Sequence, residues 1–199
     1  MTKKDFEGTT VLITGASSGI GEAFARNLAS KGVNLILTAR SQDKLIRIAD
    51  ELRKKHPISV QVFPADLSRI DAPQQLIDQI RTSGSSVDVL INNAGFGKWA
   101  HFLAEDIDTY QRMLSLNINA LVRLTYLCLP DMLSRGKGGV INVASTAAFQ
   151  PGVSRILCKR GLGQCCGIRS SNWMVNRFRA AFQSRIGIVH FSLMFLSAR

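Results

Sequence analysis

Short apolar runs, each ending at glycine or polar residues, alternate along the chain with stretches in which apolar residues recur every three or four positions. The first run, Thr9 to Thr14 (TTVLIT), is continuously hydrophobic and β-branched, the pattern of a strand buried on both faces. Ile20, Ala23, Phe24 and Leu28 then share one face of a predicted helix that Gly32 closes as its C-cap. Val33 to Thr38 is a second strand. It leads into a helix that Ser41 can cap, with Leu45, Ile48 and Leu52 on one side. Val60 to Phe63 and Val87 to Ile91 are the third and fourth strands, a long helical pattern runs from Asp108 to Ser134, and Gly139 to Ala144 is the fifth strand. Strands alternating with helical crossovers predict an α/β fold built as a doubly wound parallel sheet.

The chain has 199 residues, enough for one domain with a full core, and its 46% hydrophobic and 20% charged content is that of a globular protein. The start, MTKKDFEGTT, lacks the apolar run of a signal peptide, and the apolar stretch Ile186 to Leu196 is interrupted by His190 and too short to span a bilayer. These features predict a cytoplasmic protein without membrane contact, its four cysteines free thiols.

Charge changes the picture at one place. The net charge is +11, yet all 14 acidic residues precede Pro151. They meet 17 Lys and Arg there, whereas the last 49 residues hold 8 Lys and Arg, no acid, and three cysteines, Cys158, Cys165 and Cys166. The shift divides the chain into a domain over residues 1–153 and an atypical basic, Cys- and Arg-rich tail over 154–199. The excess basic charge lies in this tail and charge alone is what would suggest nucleic acid, so no nucleic-acid partner is expected. No cysteine and histidine spacing matches a metal site.

The strongest chemical signal is TGASSGIG, Thr14 to Gly21, between the first strand and the first helix. Gly15 permits a tight turn, Gly19 a close backbone approach to a pyrophosphate, and Gly21 close packing of the helix on the sheet, with the helix N-terminus facing the anion. Further pieces follow in order: ADL (Ala65 to Leu67), NNAG (Asn92 to Gly95), LNINAL (Leu116 to Leu121) and INVAS (Ile141 to Ser145). Over residues 7–153 the chain resembles the short-chain dehydrogenase/reductase family, whose fold is a Rossmann-type sheet.

The resemblance implies a nicotinamide cofactor held by Gly15, Ser17, Ser18, Gly19, Ile20 and Gly21, with Asp66 and Leu67 at the adenine and Asn93 and Gly95 along the adenosine side. An acid at the end of the second strand would repel a 2′-phosphate; this chain instead has Arg40, with Lys44 one turn on, which favours NADP(H) over NAD(H). Ser145 matches the family serine that hydrogen-bonds the substrate oxygen, and Asn117 the asparagine that orders a proton-relay water. Hydride transfer to a small carbonyl, or from an alcohol, is the implied chemistry. Trp99, His101 and Phe102 follow the fourth strand, where packing or one wall of the cleft are the alternatives.

One part is absent. The family's general acid/base is a tyrosine in a Tyr-x-x-x-Lys pair a dozen or so residues after the serine, but the only tyrosines here, Tyr110 and Tyr126, lie upstream of Ser145. Lys159 has Arg155 four residues before it, and Cys158 is too short to reach the oxygen a phenol would reach. The tail lacks a clean helix–strand pair, although RIGIVHFSLMF imitates one strand. Its composition fits a shifted reading frame or an aberrant exon. Two readings follow: a reductase by descent, impaired by loss of the tyrosine, with homo-oligomers open to it were that region intact; or a non-catalytic nucleotide-binding module whose basic tail contacts a partner.

Overall fold

The computed structural model describes residues 8–98 and 101–145, together with the backbone of 187–193. Chain order gives β1 (Thr10–Thr14), α1 (Gly19–Ser30), β2 (Asn34–Thr38), α2 (Gln42–Lys55), β3 (Val60–Val62), α3 (Ala72–Thr82) and β4 (Val89–Asn92). Then come α4 (Ile107–Leu114), a π-helical turn (Ser115–Ala120), α5 (Leu121–Ser134), β5 (Gly139–Ser145) and β6 (Gly187–Leu193). The strands form one sheet in the order β3-β2-β1-β4-β5-β6, every pair parallel. Strand order reverses between β1 and β4, so a crevice opens beyond their C-terminal ends, the usual place for a ligand in such sheets. The sixth strand is drawn from the basic tail and pairs with β5 from Gly139↔Gly187 to Ser145↔Leu193.

Alternation along the strands builds the two halves of the core. Val11, Ile13, Leu35, Leu37, Val89 and Ile91 face α1 and α2, meeting Ala25, Leu28, Leu45 and Leu52. Leu12, Ile36, Leu90 and Val140 face the other way, onto Leu76, Ile77 and Ile80 of α3 and Leu124, Cys128 and Met132 of α5. Because both faces are covered, the strands are apolar throughout rather than alternating. α3 escapes a purely apolar reading because Gln74, Gln75, Asp78 and Gln79 dilute its apolar face.

The helix ends differ from expectation in detail. Lys31 is the C-cap of α1 and Gly32 stands one residue beyond it at φ +81°, donating to Ala29 O while Val33 N donates to Leu28 O. That pair of bonds is a Schellman motif, which needs the left-handed conformation glycine tolerates. Ser41 occupies the N-cap of α2, but its side chain makes no capping bond. The long helix expected over Asp108 to Ser134 is broken by the π-helical turn, whose residue Asn117 is tied to the loop after β4.

Candidate nucleotide-binding and active site

The glycine loop is stapled to β4 by one hydroxyl and one amide. Thr14 Oγ1, buried at the end of β1, donates to Ile91 O at 3.2 Å and accepts from Asn93 N and Ala94 N, both at 2.9 Å. Asn93 Nδ2 returns the contact, donating to Thr14 O at 2.9 Å and Gly15 O at 3.3 Å. The closeness explains two glycines. At Gly15 (φ +67°) a Cβ would meet Ala94 Cα at 2.9 Å, and at Gly21 a Cβ would fall on Gly15's carbonyl and 2.6 Å from Asn93 Nδ2. Gly21 therefore lets the helix close on the loop itself and on Asn93, not on the strands as its spacing first suggests. Gly19 (φ +56°) is different, for a Cβ there would meet nothing within 4 Å.

α1 starts at this open point. Ser18 is its N-cap with extended backbone, yet no side chain among the described residues caps the helix. The first N–H groups of a helix have no partner within it, and together with the helix dipole they favour an anion. A bare, glycine-lined rim in front of uncapped amides fits the diphosphate of a dinucleotide. Ser17 and Ser18 flank the rim, half-buried and exposed respectively. Ile20 packs its side chain on the α1/α2 side of the core, so only its backbone belongs to the site.

The rest of the crevice follows the strand ends. Arg40, just beyond β2, and Lys44, in the first turn of α2, are exposed, and neither forms an ion pair or hydrogen bond among the described residues. Asp66 closes a turn after β3, its Oδ1 accepting from Ser68 N at 3.1 Å and Ser68 Oγ at 2.7 Å. That leaves Oδ2 for another group. Leu67 is buried with Leu12, Ile36 and Leu76, which turns its side chain away from the crevice. Gly95 is exposed beside the Asn93 clamp.

Asn117 is buried and bonded at both ends of its amide: its Nδ2 donates to Phe96 O at 2.8 Å and its Oδ1 accepts from Phe96 N at 3.1 Å. The side chain fixes the loop after β4, while the π-helical turn around it leaves backbone carbonyls off the regular ladder. Ser145 ends β5; its side chain lies outside the described residues. Tyr110 is buried, its hydroxyl donating to Phe102 O at 2.7 Å and its ring stacked on Phe102 at 4.8 Å, while Tyr126 stands 77% exposed on α5. Phe102 is thus a packing partner; His101 is exposed, and Trp99 lies outside the described residues, as do Cys158, Lys159, Cys165 and Cys166. Burial pushes the Cys128 thiol up to about 12, which removes it as a nucleophile at neutral pH. Among the described residues no three His, Cys, Asp or Glu side chains gather at one point.

Comparison with known proteins agrees with this geometry. The family model described as short chain dehydrogenase matches residues 9–157. The chain belongs to the short-chain dehydrogenase family. A very-long-chain 3-oxoacyl-CoA reductase of Anas platyrhynchos is 33% identical over 150 residues, covering 72% of this chain and 47% of that protein. A fatty acyl-CoA reductase of Acinetobacter baylyi is 36% identical over 145 residues, covering 72% and 49%. The chain therefore spans about half the length of these curated relatives. Among solved structures, a metagenomic short-chain oxidoreductase in complex with NADP superposes with a TM-score of 0.79 at 25% identity, covering 98% of this chain and 86% of that one. The L-sorbose reductase of Gluconobacter frateurii, complexed with NADPH and L-sorbose, gives 0.75 at 28% identity, covering 91% and 67%. Short-chain dehydrogenases bind nicotinamide cofactors.

Thr125 and Asn142 lie close to this site without being candidates in the sequence, and Asn92 is marked there only as the first residue of NNAG. The signal was a polar residue closing an otherwise apolar strand, as Asn92 does in VLIN and Thr14 in TVLIT.

Proposed function

We propose that this chain is an NADP(H)-dependent short-chain dehydrogenase/reductase by descent, acting on carbonyl or alcohol compounds, with turnover impaired by the missing tyrosine. The observation that carries the cofactor half is the uncapped α1 N-terminus held open by the Thr14–Asn93 staple, with Arg40 and Lys44 uncommitted at the end of β2 and the start of α2. Two cations, with no acid before Asp43, suit a 2′-phosphate. When bound, the cofactor supplies the hydride. The chain's own part is to seat the diphosphate on the α1 amides, to keep Asn117 and Phe96 fixed, and to present Ser145 to the substrate oxygen. The acyl-CoA chemistry in the names of two relatives makes 3-oxoacyl thioesters the first compounds to assay.

The second reading, a nucleotide-binding module with a basic partner-binding tail, is favoured by the absence of any tyrosine after Tyr126. NADPH oxidation with a panel of 3-oxoacyl-CoA and simple ketone substrates separates the two. Turnover far below that of intact family members, but above a Ser145→Ala control, supports the impaired reductase. Binding with no Ser145-dependent turnover supports the module.

A further inference from the structure

A second set of buried polar contacts lies behind the nucleotide clamp, and neither the cofactor nor the missing acid/base accounts for it. Asn92, 3% exposed at the end of β4, donates through Nδ2 to Asn142 Oδ1 at 2.9 Å and to Thr125 Oγ1 at 3.2 Å. Thr125 Oγ1 in turn donates to Leu121 O at 2.8 Å. Asn142 is 8% exposed, so two side-chain amides meet in a layer otherwise filled by Leu90, Val140 and Leu124. We propose that Asn142 and Thr125 are positioning residues that, through Asn92, couple the strand bearing Ser145 and the helix bearing Asn117 to the nucleotide clamp.

The connections are short and continuous. Asn142 precedes Ser145 by three residues on β5, and Thr125 lies in α5, which continues from the π-helical turn that holds Asn117. Asn92 is followed directly by Asn93, whose amide grips Thr14 and Gly15. Sheet stability alone does not call for these groups. β4 and β5 already pair along Val89↔Gly139 to Asn92↔Asn142, and two apolar residues of the same shape at the last pair are nearly neutral in stability. What the amides add is direction. Buried side-chain hydrogen bonds favour one arrangement, and here they act where the chain leaves β4.

This inference rests on the nucleotide reading, and its test keeps the two apart. NADPH affinity of the full chain is measured by fluorescence titration at a temperature where every variant is folded, alongside hydrogen exchange of residues 93–96. Asn142→Leu and Thr125→Val should each weaken NADPH about threefold to thirtyfold and speed exchange at 93–96, while Thr125→Ser, which keeps the hydroxyl, restores both. Should Asn142→Leu not fold, the Thr125 pair carries the comparison. Variants that melt earlier yet bind NADPH and exchange as the wild type does overturn the proposal, leaving a structural role only. If the wild type itself binds no NADPH, the nucleotide reading fails, and the exchange result alone then upholds or overturns the coupling.

Discussion

Two threonines in register at the ends of neighbouring strands, Thr14 on β1 and Thr38 on β2, have opposite energetic roles. Thr14 Oγ1 serves three backbone groups, whereas Thr38 Oγ1 is fully buried and has no partner among the described residues. Thr14→Val strands Ala94 N–H, at a cost of about 1–3 kcal/mol, and leaves Asn93 N–H with Ile91 O alone, so thermal unfolding should show a clear loss of stability together with loss of nucleotide binding. Thr38→Val removes a desolvated hydroxyl and keeps the shape, so the melting temperature should hold or rise, by about 1 kcal/mol of stability. A lower melting temperature for Thr38→Val would show that the hydroxyl has a partner. Gly19→Asp tests the rim itself, since aspartate tolerates a left-handed φ and the position is open. The protein should fold normally and lose NADPH binding through charge repulsion. The glycines are legible because their spacing is a pattern, and Thr14 is marked as the residue before them, but its hydrogen bonds to Ile91, Asn93 and Ala94 are not, since they join residues nearly eighty apart in the chain. It also cannot tell that Leu67 and Ile20 turn their side chains into the core, which depends on the faces their neighbours occupy.

At the scale of elements, α1 and α2 are joined by charge as well as by apolar packing. Arg26 binds Glu51 through two guanidinium nitrogens at 2.8 and 2.9 Å, and Glu22 one turn back at 2.9 Å. Lys55 adds a bond to Glu51 at 2.6 Å. The hydrogen bonds from Arg26, then from Lys55, hold the Glu51 carboxyl at about 2, below its ordinary 4.5. A carboxyl depressed in the folded state stabilises the protein above its unfolded value. That contribution is complete above about pH 4.5 and is lost as pH falls toward 2. Melting temperature followed from pH 6 to pH 2 should fall less steeply in Arg26→Met than in the wild type, and added salt should shrink the difference. Helices and strands were legible wherever apolar residues kept one period. The π-helical turn was not, because its cause is the pairing of Asn117 with Phe96, twenty-one residues away in sequence. α3 was obscured by its glutamines, although Leu76, Ile77 and Ile80 bury its inner face.

Across the whole molecule, the break in composition near residue 153 falls close to the point where the family match ends, residue 157. All acids lie on one side of it, and the tail returns to the fold as β6. The parallel sheet and its crevice were readable from the order of strands and crossovers, whereas membership of β6 in the sheet was not, since a single apolar run amid arginines has no period to mark it. The proposed occupant of the crevice is NADP(H). Calorimetric titration of the full chain with NADPH and NADH, repeated on Arg40→Asp, tests it most directly. NADPH should bind saturably and more tightly than NADH, with Arg40→Asp weakening NADPH roughly tenfold to hundredfold and NADH little. No saturable binding of either nucleotide, or equal effects of Arg40→Asp on both, would contradict it.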